Sequence, residues 1–492
     1  MTAAPADARI GPRNSRLVFT AIALFVFLSH LAFLKLPFYW DELGQFVPAS
    51  LDLFQSFAWI PHSTVANVHP PGVMAYLAAV WSVTGYSIAA TRMAMLALAT
   101  AGVIFAFRLA IRMGLPWSAA VVSTGFLVIS PLFFAQSMMA ELDMPATVFF
   151  VLALLFFLDD RIAASAIACV GLVMVKETGL VAPAWFGAWL WLERRRREAL
   201  WFLLPVAPLL IWLIALDRAT GHLFGNAAFT QYNLWYPLHP VRLSMALLRR
   251  LYYLFAGSGH WIGTIAAGIA MRRTNAFRTR AWRVAGGLAA AQVLLVSVLG
   301  GAVLERYLVP VLPILYIAFA AAIWRYAPRW RMVNAGLLAA ALVTANFVNP
   351  PYPFPWENNL AFTDFVTLDV QAAQYLEAHF PKAKIITMFP LASAFRRPEF
   401  GYVRHPLNIR EIPNFSAASV APLAGENVEV LVLYSETWDP MALMQNKKWT
   451  DFLRRYYDYE PPVDSNELRV LLGARSVARW TRHGQWVEIY ER

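Results

Sequence analysis

The sequence predicts an α-helical polytopic membrane protein: about eleven transmembrane helices, interfacial helices between them, and a small C-terminal α/β extracytoplasmic domain. Three observations predict it. Of the 492 residues, 59% are hydrophobic and only 14% charged, a balance foreign to soluble domains. Apolar runs long enough to cross a hydrocarbon core recur through the first 350 residues. They are continuous rather than alternating, which selects helices over a barrel. Finally, 18 of the 26 Lys and Arg residues before position 350 fall on one side when loops are assigned alternately, as the positive-inside rule requires. The net charge of +11 therefore reads as topogenic and excludes a nucleic-acid face, because the cations sit in short loops between apolar runs. The single cysteine, Cys169, excludes an internal disulfide and lies in an apolar run as a packed residue.

The elements follow in order. Residues 1–16, with Arg9, Arg13 and Arg16, form a basic tail held in the cytoplasm. The run 17–34 is long and lacks a small-x-small cleavage site, so it is read as a retained first helix rather than a leader. It delivers Asp41 and Glu42 to the outer face. Segments 41–58 and 73–84 are too short to span and are read as interfacial helices. Helix 2 runs from Arg92 to Arg112. Helix 3 (117–137) leads out to Glu141 and Asp143, and the short helices 4 (146–158) and 5 (162–175) follow, the latter ending at Lys176-Glu177. Helix 6 returns to the run Arg194–Arg197, and helix 7 (200–216) exits to an aromatic loop, 217–247. Helix 8 returns to the basic loop 272–283. Helices 9 to 11 place Glu305-Arg306-Tyr307 outside and Arg325, Arg329 and Arg331 inside. The cations left outside, Lys35, Arg92, Lys176, Arg218, Arg242, Arg249, Arg250 and Arg306, have no topogenic reason to be there.

Asn349-Pro350-Pro351-Tyr352-Pro353-Phe354-Pro355 is a stiff linker that divides a transmembrane domain, 1–349, from a domain over 350–492. In the latter, a helix over 368–379 and buried-type strands over 384–388, 428–434 and 486–490 predict an α/β unit. An odd helix number puts it outside the cytoplasm. It is expected to fold by itself and to contact an acceptor or cap a groove.

Tyr39-Trp40-Asp41-Glu42 and, further on, Val68-His69-Pro70-Pro71-Gly72 carry the chemical signal. Adjacent carboxylates at the end of a membrane helix are costly unless they face an aqueous site. The double proline stops a helix and forces a turn. In this ordered pair, W-D-E-x-x-x-F from Trp40 to Phe46 and then H-P-P-G, the chain resembles the GT-C membrane glycosyltransferases. These include the dolichyl-phosphate-mannose protein mannosyltransferases and the lipid A aminoarabinose transferases. Glu141-Leu142-Asp143-Met144-Pro145 and Glu305-Arg306-Tyr307, with Pro310 and Pro313 after it, add to the resemblance. It covers residues 17–325 as short motifs. The mannosyltransferase motif continues with Leu and a Gly-Lys pair; here Gly72 follows at once and no Lys appears, so the likeness is to the broader family.

The resemblance implies a GT-C catalytic domain over 1–349. It also implies an inverting hexosyl or pentosyl transferase of the bacterial inner membrane. Such an enzyme moves a sugar from a polyprenyl-phosphate donor to a glycan, lipid or protein outside the cytoplasm. The transfer needs a carboxylate to accept the hydroxyl proton, cations for the leaving phosphate, and a groove for the lipid tail. The family motif makes Asp41 the base; the alternative is an interfacial carboxylate paired with Lys35 or Arg92. Glu42 either orients Asp41, binds acceptor or metal, or is structural. Asp143 matches a second acidic position of the family and equally fits a helix cap before Pro145. Asp41, Asp143 and His69 are a candidate ligand set for a divalent cation, the one cofactor implied; His69 otherwise caps the Pro-Pro turn. Lys176 and Arg306, with Glu177 and Tyr307 beside them, are the candidates for donor phosphate, against local salt bridges. Arg92 and Arg242 rank behind them.

A polytopic lipid or glycan transporter or flippase is the rival from another class, since it also carries intramembrane charges and broken helices. The clustering of charge at one membrane level and the lack of a repeat between halves weigh against it. A scaffold that merely presents the C-terminal domain would not need the acidic pair.

Overall fold

A long apolar run must satisfy its backbone internally, and the membrane part of the chain does so as helices. The computed structural model describes residues 12–326, 329–426 and 428–492, so the basic tail around Arg9 lies outside the described residues. Among the described residues, four helices are long and apolar enough to cross a membrane on length and composition: Ile88–Arg112, Arg196–Thr220, Arg280–Val298 and Glu305–Arg325. Pro240–Phe255 and Gly257–Arg273 make a fifth, bent by 41° where Ser258 and Gly259 adopt left-handed backbone. Shorter apolar helices include Asp143–Leu158 and Ile162–Val175, the two shortest expected spans, both present as a tight antiparallel pair. Side chains such as Ile211 and Leu294 (69% and 56% exposed) face outward on these helices, as lipid contact demands.

Loop charges sort the helix ends. Arg112 pairs with Asp159 (2.5 Å), Arg195 with Asp160 (2.7 Å) and Arg280 with Glu193 (2.7 Å). All six belong to loops that the sequence put on one side, and they meet there. Asp41, His69, Glu141, Lys176 and Arg306, from loops assigned to the other side, gather at the opposite end. The interfacial segments are helices Val47–Ser56 and Gly72–Thr84, packed on each other through Phe54 and Trp81. Gly72 is required where it stands: a Cβ there would collide with the carbonyl oxygen of Met174. That close crossing accounts for glycine directly after the prolines.

After the proline-rich linker the chain builds helix Ala361–His379 and a five-stranded sheet. The strands are β1 (Ile385–Thr387), β2 (Ile409–Glu411), β3 (Val430–Tyr434), β4 (Arg475–Arg482) and β5 (Gln485–Glu491), in the order β2-β1-β3-β5-β4. β1 pairs in parallel with β2 and β3, whereas β5 runs antiparallel to β3 and β4. His483 and Gly484, both at positive φ, make the tight β4–β5 turn. The expected strands are β1, β3 and β5, the buried ones. β2 and β4 are edges carrying Arg and Glu, which hides them from a search for apolar runs.

This α/β part does not stand apart. One continuous hydrophobic core runs through both regions. Phe38 meets Phe400, Tyr39 meets Phe362 and Phe365, and Trp40 meets Phe389. The Tyr402 hydroxyl donates to the Phe38 carbonyl at 2.7 Å. The short segment before the acidic pair is thus a socket for the C-terminal region.

Candidate functional site

A cavity of about 940 Å³ opens at the helix ends where the two regions meet. The membrane part lines it with apolar side chains such as Leu209, Leu213, Leu295, Leu299, Phe224 and Phe229, and the C-terminal region adds a mixed lining that includes Phe354, Trp356, Phe365, Asn414 and Glu436. Asp41, His69, Asp143, Lys176, Glu177, Arg306 and Tyr307 line it as well.

Local backbone sets the direction of Asp41. Trp40 is held at φ +47°, a strained conformation for a bulky residue, and the chain then enters the π-helical turn Glu42–Phe46. The turn is pinned by its own acid: the Glu42 carboxylate accepts from the Tyr39 N–H at 2.9 Å and the Ala140 N–H at 2.6 Å. Arg92 donates to it from two nitrogens (2.5 and 3.0 Å) and to the carbonyls of Met138 and Pro37 (2.9 and 3.1 Å). Glu42 and Arg92 are both fully buried and do not line the cavity. Their expected catalytic and substrate-binding roles are corrected accordingly: they form a clamp that fixes the loop beneath Asp41. Asp41 pairs with neither Lys35 nor Arg92.

Asp41 pairs with Arg306 through Oδ2. Among the described residues no side chain bonds its Oδ1, and its side chain is 20% exposed toward the cavity. Arg306 is buried and ringed by four carboxylates: Asp41, Glu141 at 2.6 Å, Glu357 at 3.0 Å and Asp143 at 3.5 Å. Arg306 also lines the cavity and its Nε has no hydrogen-bond partner, so it orients these carboxylates and stays a candidate for the donor phosphate. Asp143 starts the helix Asp143–Leu158 but makes no capping bond; its carboxylate holds Lys176 at 2.6 Å. The Lys176 ammonium lies 4.1 Å above the Tyr307 ring and keeps donors for the cavity. His69 bonds Glu177 at 2.8 Å. Asp41 and Asp143 turn to Arg306 and Lys176 while His69 turns to Glu177, and no group of three metal-binding side chains forms among the described residues. Arg242 is spent on the Tyr236 and Tyr456 carbonyls, outside the cavity.

Two residues of the cluster were not singled out from the sequence. In the sequence Glu141 is only the neighbour of Asp143, and Glu357 follows the linker. Burial pushes the Glu141 carboxyl well above the usual range, although Arg306 opposes it and neighbouring acids add to it. Burial, opposed by Arg306 and reinforced by Asp41 and Asp143, raises Glu357 to about 7. Four carboxylates against two cations leave the cluster with surplus acid that is relieved by holding protons.

No family model and no curated protein matches the chain. Solved structures do. The crystal structure of ArnT from Cupriavidus metallidurans bound to undecaprenyl phosphate superposes with a TM-score of 0.58 at 17% identity, over 97% of this chain and 98% of that one. The apo form of the same protein gives 0.56 at 17%, over 96% and 97%. The oligosaccharyltransferase of Archaeoglobus fulgidus, with Zn and sulfate, gives 0.52 at 11%, over 85% of this chain and 67% of that one. The chain has the GT-C fold, with a small C-terminal sheet.

Proposed function

We propose that the protein is an inverting membrane glycosyltransferase that moves a sugar from a polyprenyl-phosphate donor to an acceptor hydroxyl. The active site and the α/β region, 350–492, would face the periplasm of a bacterial inner membrane, a side supported by the loop charge bias. One observation carries the reading: Asp41 lines a largely apolar cavity with one oxygen held by a buried arginine and, among the described residues, no side chain bonded to the other. The fold shared with ArnT, whose structure holds undecaprenyl phosphate, supports a lipid-linked donor.

In this mechanism the lipid tail lies along the apolar wall and Lys176 binds the phosphate. The acceptor oxygen attacks the anomeric carbon from the face opposite the phosphate. As the new C–O bond forms, the old one breaks and its electron pair leaves on the phosphate oxygen. Asp41 Oδ1 takes the hydroxyl proton, and the anomeric configuration inverts. Arg306 keeps the carboxylate aligned through the step, and Lys176 offsets the charge growing on the phosphate. Release of polyprenyl phosphate from labelled donor by the purified protein, with and without acceptor, tests the reading. A protein that binds donor lipid and never cleaves it, while moving it across a bilayer, would instead be a flippase.

A further inference from the structure

The wall that the C-terminal region adds has a composition of its own. Residues 354–436 bring Trp356, Glu357, Asn414, Tyr434 and Glu436 to the cavity beside apolar side chains such as Phe365 and Met388, and no Lys, Arg or His from this stretch lines it among the described residues. The cations of the cavity lie on the membrane side and are engaged: Arg306 by four carboxylates, Lys176 by Asp143. Glu436 is exposed to the cavity and has no ion-pair partner among the described residues. Glu357 is 2% exposed; although close to Arg306, its Oε1 has no hydrogen-bond partner. Asn414 spends its oxygen on Ser416 N–H and Ser419 Oγ (3.0 and 2.6 Å), leaving the amide N–H groups for the cavity. Two indoles, Trp40 and Trp356, line the cavity beside Asp41 and Glu357, and Trp356 is fixed by donating to the Glu436 carbonyl at 3.3 Å.

From this wall we infer that the acceptor is a saccharide with no phosphate or carboxylate near its reacting hydroxyl. The inference rests on the glycosyltransferase reading and names the acceptor class for that site. A sugar offers a C–H face to an indole and several O–H donors to carboxylates, and the wall presents both complements. An anionic group placed there would meet Asp41 and Glu436 in a partly dry site, while Arg306 is held by its carboxylates and Lys176 is taken by the donor phosphate.

The test uses the full-length protein in nanodiscs with donor lipid labelled in vivo and extracted from a deletion strain. Envelope glycans and glycolipids of the same strain are split on an anion-exchange resin into unretained and phosphate-bearing fractions. Label transferred to the unretained fraction by more than about tenfold over the retained one is the expected result. Glu436→Lys is expected to narrow that ratio by about tenfold, since it replaces repulsion with attraction. Donor consumed with label confined to the retained fraction overturns the acceptor assignment and leaves the transferase reading standing. Donor left intact with both fractions overturns the transferase reading itself, and the acceptor assignment with it.

Discussion

Asp41 and Glu42 are neighbours in sequence and opposites in structure. Glu42 joins a closed cluster: one carboxylate, one guanidinium, backbone donors and carbonyls, all buried. Asp41 joins an open one: four carboxylates about one guanidinium, one of them at a cavity with an oxygen that no side chain bonds among the described residues. A structural ion pair is satisfied when charges balance and nothing is left over. The Arg306 cluster holds an excess of acid and an unfilled space, which a fold would not keep for stability alone.

The widest separation between the clusters is expected from Asp41→Asn. Transfer falls by about 10²–10⁴-fold while donor binding and thermal stability stay near normal, measured by polyprenyl phosphate release and by an unfolding scan. An Asp41→Asn enzyme turning over at the parental rate would erase the distinction. Arg92→Ala acts on the other cluster. Leaving Glu42 buried without its partner costs about 3–5 kcal/mol, read as a lowered unfolding midpoint in detergent. A stable Arg92→Ala protein with intact fold would break the clamp assignment. Lys176→Ala removes a charge-assisted contact of about 1.5–3 kcal/mol, so donor binding and turnover fall together by about 10–100-fold.

The smallest effect sharpens the comparison through pH. Glu357 titrates at about 7 in the folded protein against 4.5 for an ordinary Glu. Between those values the folded chain keeps a proton that the unfolded chain has lost, so this group's contribution to stability declines as pH rises through the window. Glu357→Gln is expected to flatten the fall in unfolding midpoint between about pH 5 and pH 7.5. An unchanged slope would mean that the surplus acid is relieved elsewhere in the cluster.

What was legible in the sequence follows from cost. A charge beside an apolar run is expensive, so Asp41, His69, Lys176 and Arg306 stand out and the structure brings them to one cavity. The helix order is legible for the same reason. Partnership was not legible. Adjacency in sequence groups Glu42 with Asp41, yet one step along a tight turn sends its side chain to Arg92 on another helix. Glu357 stands in a stretch of soluble composition where a lone acid carries no penalty; only docking of that stretch makes it a buried member of the cluster. The expected independence of residues 350–492 rested on the linker prolines, and pattern alone gives no sign that Phe362, Phe365 and Phe389 close around Tyr39 and Trp40.

The position of β5 has a consequence in time. It is the latest strand in chain order but lies inside the sheet, between β3 and β4. Ser435 and Trp486 exchange hydrogen bonds there (2.9 and 3.0 Å), directly beside Glu436 in the cavity wall. A ribosome releases this strand after helices Ile88–Arg112 to Glu305–Arg325, so a nascent chain holds Asp41, Lys176 and Arg306 before the wall that β5 pins can set. Insertion into the bilayer and assembly of the cavity are therefore successive events, and a chain stalled short of β5 has its charges in place around an unfinished chamber.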